Sequence, residues 1–195
     1  MNKIFVGIIQ KTSLMTEFDQ FLSTSGLSTK AWGPSGWFFL FSCVMGGYPP
    51  TIDTRNQEHL EIQQHFRNMF LSLGYTMPCI FCRQSYQQFY QQIPIDNFLS
   101  GRIELMRWLY QMRDLVNQKL ITQEQECYNT EKKRLKQLYH NAKISKREYY
   151  WQLERAKKET LYTKPSPPFQ EVLSKYEQFR AVCSKRAKTC SLPKK

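Results

Sequence analysis

The sequence predicts an all-α protein: a four-helix bundle with a short fifth helix and an inserted basic helical hairpin. Apolar residues recur at helical spacing along most of the chain, as in the set Trp37, Leu40, Phe41 and Val44. No stretch shows the convincing alternation of apolar and polar residues that is typical of a strand. With 41% hydrophobic and 14% aromatic residues in 195 positions, the composition indicates a buried core rather than a disordered chain.

Turn-forming residues divide the core into its helices. Gly33 and Pro34 are expected to open the first helix, and the run GGYPP at 46–50 is expected to close it. A proline at position 78 is expected to precede the third helix. We place the four core helices at about 34–46, 55–73, 79–91 and 101–120, and the short fifth helix at about 169–180.

Residues 124–164 read as a basic insertion between the fourth and fifth helices. Residues 131–164 contain 11 basic and 4 acidic residues, whereas residues 1–120 contain 10 and 8. The pattern predicts two amphipathic helices joined by a turn near 141–145. Such a hairpin is a candidate surface for nucleic acid or an acidic partner, or an extension of a dimer interface, although most charge runs of this kind are solvated helix faces.

These patterns divide the chain into four parts. They are an N-terminal segment at 1–30, a core bundle at 31–123, the basic hairpin at 124–164, and a short helix with a basic tail at 165–195. The start, MNKIFVGIIQKTS, has an apolar run of only six residues and no small-residue cleavage site, so we expect no secretion signal. No apolar run approaches the ~20 residues that span a bilayer. We therefore expect a cytoplasmic protein without membrane association.

Cys79 and Cys82 form a CxxC pair in the run MPCIFC at 77–82. The proline before the pair predicts that Cys79 lies at the first turn of a helix, where free amides and the helix dipole stabilise a thiolate and so favour disulfide exchange. Zinc binding would need two further ligands, but His59 and His65 stand six residues apart and do not share a helix face. On spacing alone, exchange chemistry and metal binding are about equally favoured.

Two further motifs flank the CxxC pair. The run WGPSGWFFLFSCVMGGYP at 32–49 precedes it, and the run RDLVNQKL at 113–120 follows it. This order of motifs resembles the Erv/ALR family of FAD-linked sulfhydryl oxidases, and most of all its members from large nucleocytoplasmic DNA viruses. The resemblance covers about 30–120 and, weakly, 164–180.

Two positions depart from the family pattern. Phe41 stands where the family usually has histidine, and Arg113 with Asp114 stands where it usually has a His-Asn pair. The usual residues help to hold FAD. Phe41 still offers an aromatic wall, and Arg113 offers a charge to the cofactor's phosphates or ribose. We interpret the departures as altered cofactor binding rather than its loss.

The resemblance implies a flavin-dependent thiol oxidase that forms disulfides in thiol-containing protein substrates. Electrons would pass from the CxxC pair through FAD to O2, giving H2O2. Cys79 would be attacked by the substrate thiolate, and Cys82 would pass electrons to the flavin. The cofactor-binding residues that the resemblance implies are Trp32, Gly33, Pro34, Trp37, Phe41, Tyr48, Arg113, Val116, Asn117, Leu120 and Lys164.

Family members often interpose a second cysteine pair between substrate and CxxC. Cys183 and Cys190, in CSKRAKTC, are our shuttle candidates, and a structural disulfide is an equal alternative for them. We interpret Cys43 and Cys127 as buried or incidental thiols, and we predict no metal site. The resemblance also implies a homodimer, and the viral likeness implies host cytoplasm and virion. The alternative function is a non-enzymatic helical adaptor that binds nucleic acid or an acidic partner through the hairpin, with a structural or zinc-binding CxxC.

Overall fold

The computed structural model describes residues 26–184 and 189–191. Within them lie six α-helices: α1 (Thr29–Gly47), α2 (Gln57–Thr76), α3 (Ile80–Gln92), α4 (Arg102–His140), α5 (Lys146–Thr160) and α6 (Phe169–Glu177). A 3₁₀ helix (Ile95–Phe98) lies between α3 and α4, and strands β1 (Val182–Ser184) and β2 (Thr189–Ser191) follow α6. The all-α prediction is confirmed. Most of the N-terminal segment predicted at 1–30 lies outside the described residues.

Helices α1 to α4 pack around fully buried large side chains, of which Trp108 on α4 is the largest. Its ring meets Phe70 of α2 edge-on, with 4.8 Å between ring centroids, and its Nε1 donates to the Ile93 carbonyl at 2.8 Å. That bond satisfies an indole N–H which burial would otherwise leave unpaired. α6 packs against the bundle through Tyr176, whose ring stacks on that of Phe41 of α1 with 5.0 Å between the ring centroids.

The predicted start of α1 is wrong. α1 begins at Thr29, and Pro34 lies inside it rather than at its first turn. The Ser28 carbonyl accepts from the Ala31 amide at 3.0 Å, so a regular first turn is already formed ahead of the proline. Pro34 removes one helical hydrogen bond, which so early in the helix does not end it. Trp32 consequently lies in the first turns of α1, close to residues 26–28.

The predicted end of the fourth helix is also wrong, because α4 runs unbroken for 39 residues to His140. It contains no glycine or proline, and the sequence between 120 and 131 has no strong helix breaker. The hydrogen-bond ladder therefore continues from the bundle into the hairpin. The boundary that we placed between 123 and 124 falls inside this helix.

The predicted helical hairpin is confirmed, with α5 antiparallel to the second half of α4. The turn is stabilised at Ser145, whose Oγ accepts from the Glu148 amide at 3.2 Å. In the range 124–164, which is described throughout, only Leu135 is buried. None of the helices in the described ranges combines the length and the apolar composition that a membrane span requires.

The sequence did not predict β1 and β2. They form an antiparallel pair in which the Cα atoms of Cys183 and Cys190 are direct partners. Strands of three residues are too short to show a recognisable alternation of apolar and polar side chains.

Candidate redox-active cysteine site

The cysteine pair lies at the N-terminus of α3, as predicted. Cys79 is the N-cap residue of α3, and its Sγ accepts from the Cys82 amide at 3.4 Å. Both residues are partly buried free thiols. Between them Ile80 and Phe81 face solvent, and Phe81 is 63% exposed. The pair therefore has an open flank on the side of these two residues.

The two thiols have different electrostatic surroundings. Partial burial opposes ionisation of Cys79, but a hydrogen bond from the Cys82 thiol, the amides of Cys82 and Phe81 and the charge of Arg83 together hold the pKa of Cys79 below its ordinary value. Burial, followed by the hydrogen bond and charge of Cys79, raises the pKa of Cys82 to about 12. Cys79 is therefore the more acidic thiol of the pair, and Cys82 is the less acidic one.

Lys119 of α4 lies beside the deeper thiol. Its Nζ donates to Ser85 Oγ, one helical turn after Cys82 on α3. The charges of Lys119 and Arg83 lower the pKa of Cys82 and so act against burial. If Cys79 carried no charge, it would no longer raise the pKa of Cys82, and the charges of Lys119 and Arg83 would still lower it.

Residues 26–28, which we call the leading segment, lie against the cysteine pair. Gly26 forms an isolated antiparallel bridge with Cys79, and the Leu27 amide donates to the Pro78 carbonyl at 2.7 Å. Gly26 has φ +106°, and a Cβ there would lie 2.0 Å from the Pro78 oxygen, so only glycine fits. Trp32 Nε1 donates to the Leu27 carbonyl at 3.3 Å, which ties the leading segment to α1.

Residues 161–168, which we call the return segment, connect α5 to α6 and lie against α4. Asn117 Nδ2 donates to the Lys164 carbonyl at 2.6 Å. On α1, Lys30 Nζ lies 4.3 Å from the centroid of the Tyr162 ring. α1, α4 and the return segment are therefore joined near the end of α1 that holds the leading segment.

These contacts bring together several of the residues that the sequence singled out. They link Trp32 to the cysteine pair through the leading segment, and Asn117 to Lys164 through the return segment. By helical spacing, Val116 and Leu120 lie on the α4 face between Asn117 and Lys119. Gly33 and Pro34 lie in the first turns of α1, next to Trp32. Their cofactor-binding role stays a prediction.

The described contacts do not bring Tyr48 or Phe41 to the cysteine pair. Tyr48 is the C-cap residue of α1, about 24 Å along the helix axis from Trp32. It is fully buried, and its hydroxyl donates to the Leu99 carbonyl at 2.7 Å. Phe41 is also fully buried. Both residues contribute to the core packing of the bundle.

Trp37 and Arg113 border this aromatic core. The Trp37 and Phe41 ring centroids are 6.3 Å apart, and Phe41 stacks in turn on Tyr176. Burial raises the pKa of Tyr176, and the nearby charge of Arg113 partly offsets that rise. No acidic side chain within the described ranges forms an ion pair with Arg113, so the guanidinium remains available to an anionic ligand.

The zinc-binding interpretation of the CxxC pair needs further ligands, and the described ranges contain no suitable set. No group of three or more His, Cys, Asp or Glu residues there is placed to hold a metal ion. His59 is a hydrogen-bonded residue, because its Nδ1 accepts from the Asp53 amide at 3.1 Å. Cys43 and Cys127 are free thiols, and burial raises the pKa of Cys43.

Sequence reasoning missed Lys119, Ser85 and the leading segment. Lys119 carried a signal in the sequence, because it lies three residues after Val116 on the predicted helix and therefore on the same side as this cofactor candidate. Gly26 carried none, since a bridge between residues so far apart in the chain has no local pattern.

Cys190 is disulfide-bonded, and its backbone partner across the β pair is Cys183. The shuttle role of these two cysteines stays a prediction.

A helical bundle that places two partly buried CxxC thiols of unequal acidity at a helix N-terminus is typical of a thiol–disulfide redox protein. The sequence profile of the Erv1/Alr family matches residues 34–136, about half of the chain, and the chain belongs to this family. It is a family of sulfhydryl oxidases whose members generally bind FAD. A comparison with curated protein sequences finds no significant match.

Proposed function

We propose that this protein is a flavin-dependent thiol oxidase that forms disulfides in protein substrates and delivers their electrons to O2, giving H2O2. The observation that carries the proposal is that the leading segment before α1 and Lys119 of α4 both reach the Cys79–Cys82 pair, while the return segment joins α1 to α4. Trp32, Asn117 and Lys164, which were predicted from separate stretches of the sequence, take part in two of these contacts.

The cofactor candidates on α4 and on the return segment fit FAD in two respects. Leu120 is 39% exposed and Val116 is partly exposed, so the α4 face beside Lys119 offers apolar surface to a flat ring. Arg113 and the ammonium of Lys164 have no acidic partner among the described residues and suit phosphate groups. Asn117 would hold the group together with these four. When bound, FAD would supply a two-electron acceptor that also reacts with O2, which no side chain provides.

Cys79 is the sulfur that a substrate thiolate would attack. The new bond joins the substrate sulfur to Cys79, the bond between Cys79 and Cys82 breaks, and its electron pair remains on Cys82. Cys79 then carries no charge, so it no longer raises the pKa of Cys82, and Lys119 with Arg83 favours the Cys82 thiolate. A second substrate thiolate displaces Cys79, which leaves the substrate as a disulfide and Cys79 as a thiolate.

The test is flavin content and oxygen uptake by the purified full-length chain. We expect a yellow protein with close to one FAD per chain that consumes O2 when given a dithiol, and produces one H2O2 per disulfide. Cys79→Ser and Cys82→Ser should each reduce uptake to background and leave the flavin bound, because neither substitution touches the residues proposed to hold FAD.

Cys43→Ser and Cys127→Ser are matched controls, since both remove free thiols of the same chain. They should leave oxygen uptake unchanged. A colourless chain that contains stoichiometric zinc would refute the proposal in favour of a metal-binding module. Full turnover by Cys79→Ser would refute the assignment of the attacked sulfur.

We also propose that the protein is a homodimer through α1 and α2. Phe39 on α1 and Leu71 with Tyr75 on α2 are large apolar side chains that face solvent in the single chain, and Tyr75 is 70% exposed. The molar mass in solution decides between one chain and two.

The viral likeness, with its host-cytoplasm and virion locations, stays a prediction.

A further inference from the structure

The hairpin arm, residues 131–164, carries far more positive charge than it neutralises. Its 11 basic and 4 acidic residues form only two ion pairs, Arg134 with Glu131 at 2.6 Å and Arg155 with Glu159 at 2.8 Å. Every residue of the arm is described, and its other lysines and arginines have no carboxylate within ion-pair distance. α5 buries no residue. The packing of the arm therefore does not explain this excess of charge.

Part of the charge lines a groove at the end of α4. The groove has a volume of about 440 Å³, and its lining residues are Lys133, Lys136, Gln137, His140 and Asn141. They recur at helical spacing, so one face of α4 presents two ammonium groups, an imidazole and two amides in a row. All of these groups can donate hydrogen bonds to the oxygens of a phosphate backbone.

Aromatic rings continue from the edge of this groove. The Tyr139 ring lies 6.3 Å from His140 and stacks on Tyr149 at 5.4 Å, and Tyr149 meets Tyr150 at 5.2 Å, all between ring centroids. Tyr150 is 55% exposed, and Trp151 beside it is 60% exposed. A solvated helix face has no need of exposed aromatic rings, and Trp is seldom left so open.

We propose that the hairpin arm binds single-stranded nucleic acid, with the α4 groove holding phosphates and the exposed rings stacking on bases. Cationic grooves flanked by aromatic platforms are the usual means of binding single strands without sequence preference. A duplex would satisfy the lysines but hide its base faces inside the stack. An acidic polypeptide would also satisfy the lysines but offers no flat ring to Tyr150 and Trp151. This activity is independent of the cysteine pair.

The test is binding of the full-length chain to a fluorescently labelled single-stranded oligonucleotide. The oligonucleotide has about one to two dozen nucleotides, which is the span of one to a few typical single-strand sites. Fluorescence anisotropy measures the affinity at a series of salt concentrations. Lys133→Gln with Lys136→Gln should weaken binding and reduce the slope of log affinity against log salt by about 1.4, the value for two phosphate contacts on a single strand. Tyr150→Ala with Trp151→Ala should weaken binding about tenfold or more and leave the slope unchanged, because stacking releases no counterions.

The charge-matched control is Arg55→Gln with Lys175→Gln, which removes two exposed cations outside the arm. It should leave affinity within about twofold and the slope near its original value. Far-UV circular dichroism verifies that each variant keeps its helices. The proposal is overturned if this control weakens binding as much as the arm variants, if a duplex of equal length binds as tightly, or if polyglutamate competes as well as unlabelled oligonucleotide.

Discussion

The first and second halves of α4 belong to one unbroken helix but lie in different environments. From 102 to 120 the helix crosses the bundle and buries five residues, whereas from 121 to 140 it buries only Leu135. The first half also carries Lys119, which donates to Ser85 beside the cysteine pair, and Asn117, which donates to the return segment. The second half carries the cationic groove. A continuous helix can thus join a packed redox core to an arm with almost no core of its own.

This difference predicts that the folding stability of the protein is concentrated in the bundle. Trp108→Ala should lower the free energy of unfolding by about 3–5 kcal/mol, because it empties a fully buried site and leaves the Ile93 carbonyl without its donor. Urea denaturation measures the change. Trp151→Ala, which removes the same residue type from the arm, should change stability by less than about 0.5 kcal/mol. Equal losses in the two variants would contradict the comparison.

The single buried residue of the arm gives the next largest effect. Leu135→Ala should cost about 2 kcal/mol, at the low end for a buried leucine, because a two-helix arm can collapse around the cavity. The loss should be local. Hydrogen exchange should accelerate in the second half of α4 and in α5, and oxygen uptake by the cysteine pair should stay unchanged. Faster exchange throughout α1 to α3 would show that arm and bundle unfold together.

Lys119 tests how closely the first half of α4 is coupled to the chemistry. Lys119→Met removes a charge that lowers the pKa of Cys82, so that pKa should rise and the rate of thiol oxidation at neutral pH should fall, by roughly tenfold or less because the charge is partly screened. The pH–rate profile should move to higher pH. Lys119→Arg should restore the profile, and Lys136→Met in the second half of α4 should leave it unaltered. An unmoved profile in Lys119→Met would exclude this coupling.

The two halves also differ in how well the sequence predicted them. Helical spacing and turn residues located every core helix, because buried apolar faces repeat at a fixed period. The same criteria failed where the hydrophobic pattern changes without a helix breaker, so α4 was divided near position 120. At α1 the Gly33-Pro34 pair outweighed the ordinary helix-forming residues before it. Both errors come from treating a local signal as a boundary when hydrogen bonding simply continues through it.

For the site, the sequence provided the cysteine pair and its place at a helix start, since both follow from residues within one short run. It could not provide the bridge between Gly26 and Cys79, or the proximity of Lys119 to Ser85. Those contacts depend on how helices distant in the chain pack together. Tyr48, which the motif predicts to bind the cofactor, is a fully buried residue whose hydroxyl donates to the Leu99 carbonyl, and its cofactor role stays a prediction.

The smallest effect is expected at Glu124, where the two halves of α4 meet. Partial burial opposes its ionisation, but hydrogen bonds from the Thr163 hydroxyl and the amides of Thr163 and Tyr162, with the charge of Lys30, hold the pKa of Glu124 below its ordinary value. A carboxyl with a lowered pKa stabilises the fold above about pH 4.3 and loses that contribution as the pH falls through its folded value. Glu124→Gln should therefore cost up to about 1 kcal/mol at neutral pH, since the group is near the surface. Urea denaturation from neutral to acid pH should show the wild-type and variant stabilities converging below pH ~4. A difference that stays constant into acid would mean that the charge of Glu124 does not hold the return segment against α4.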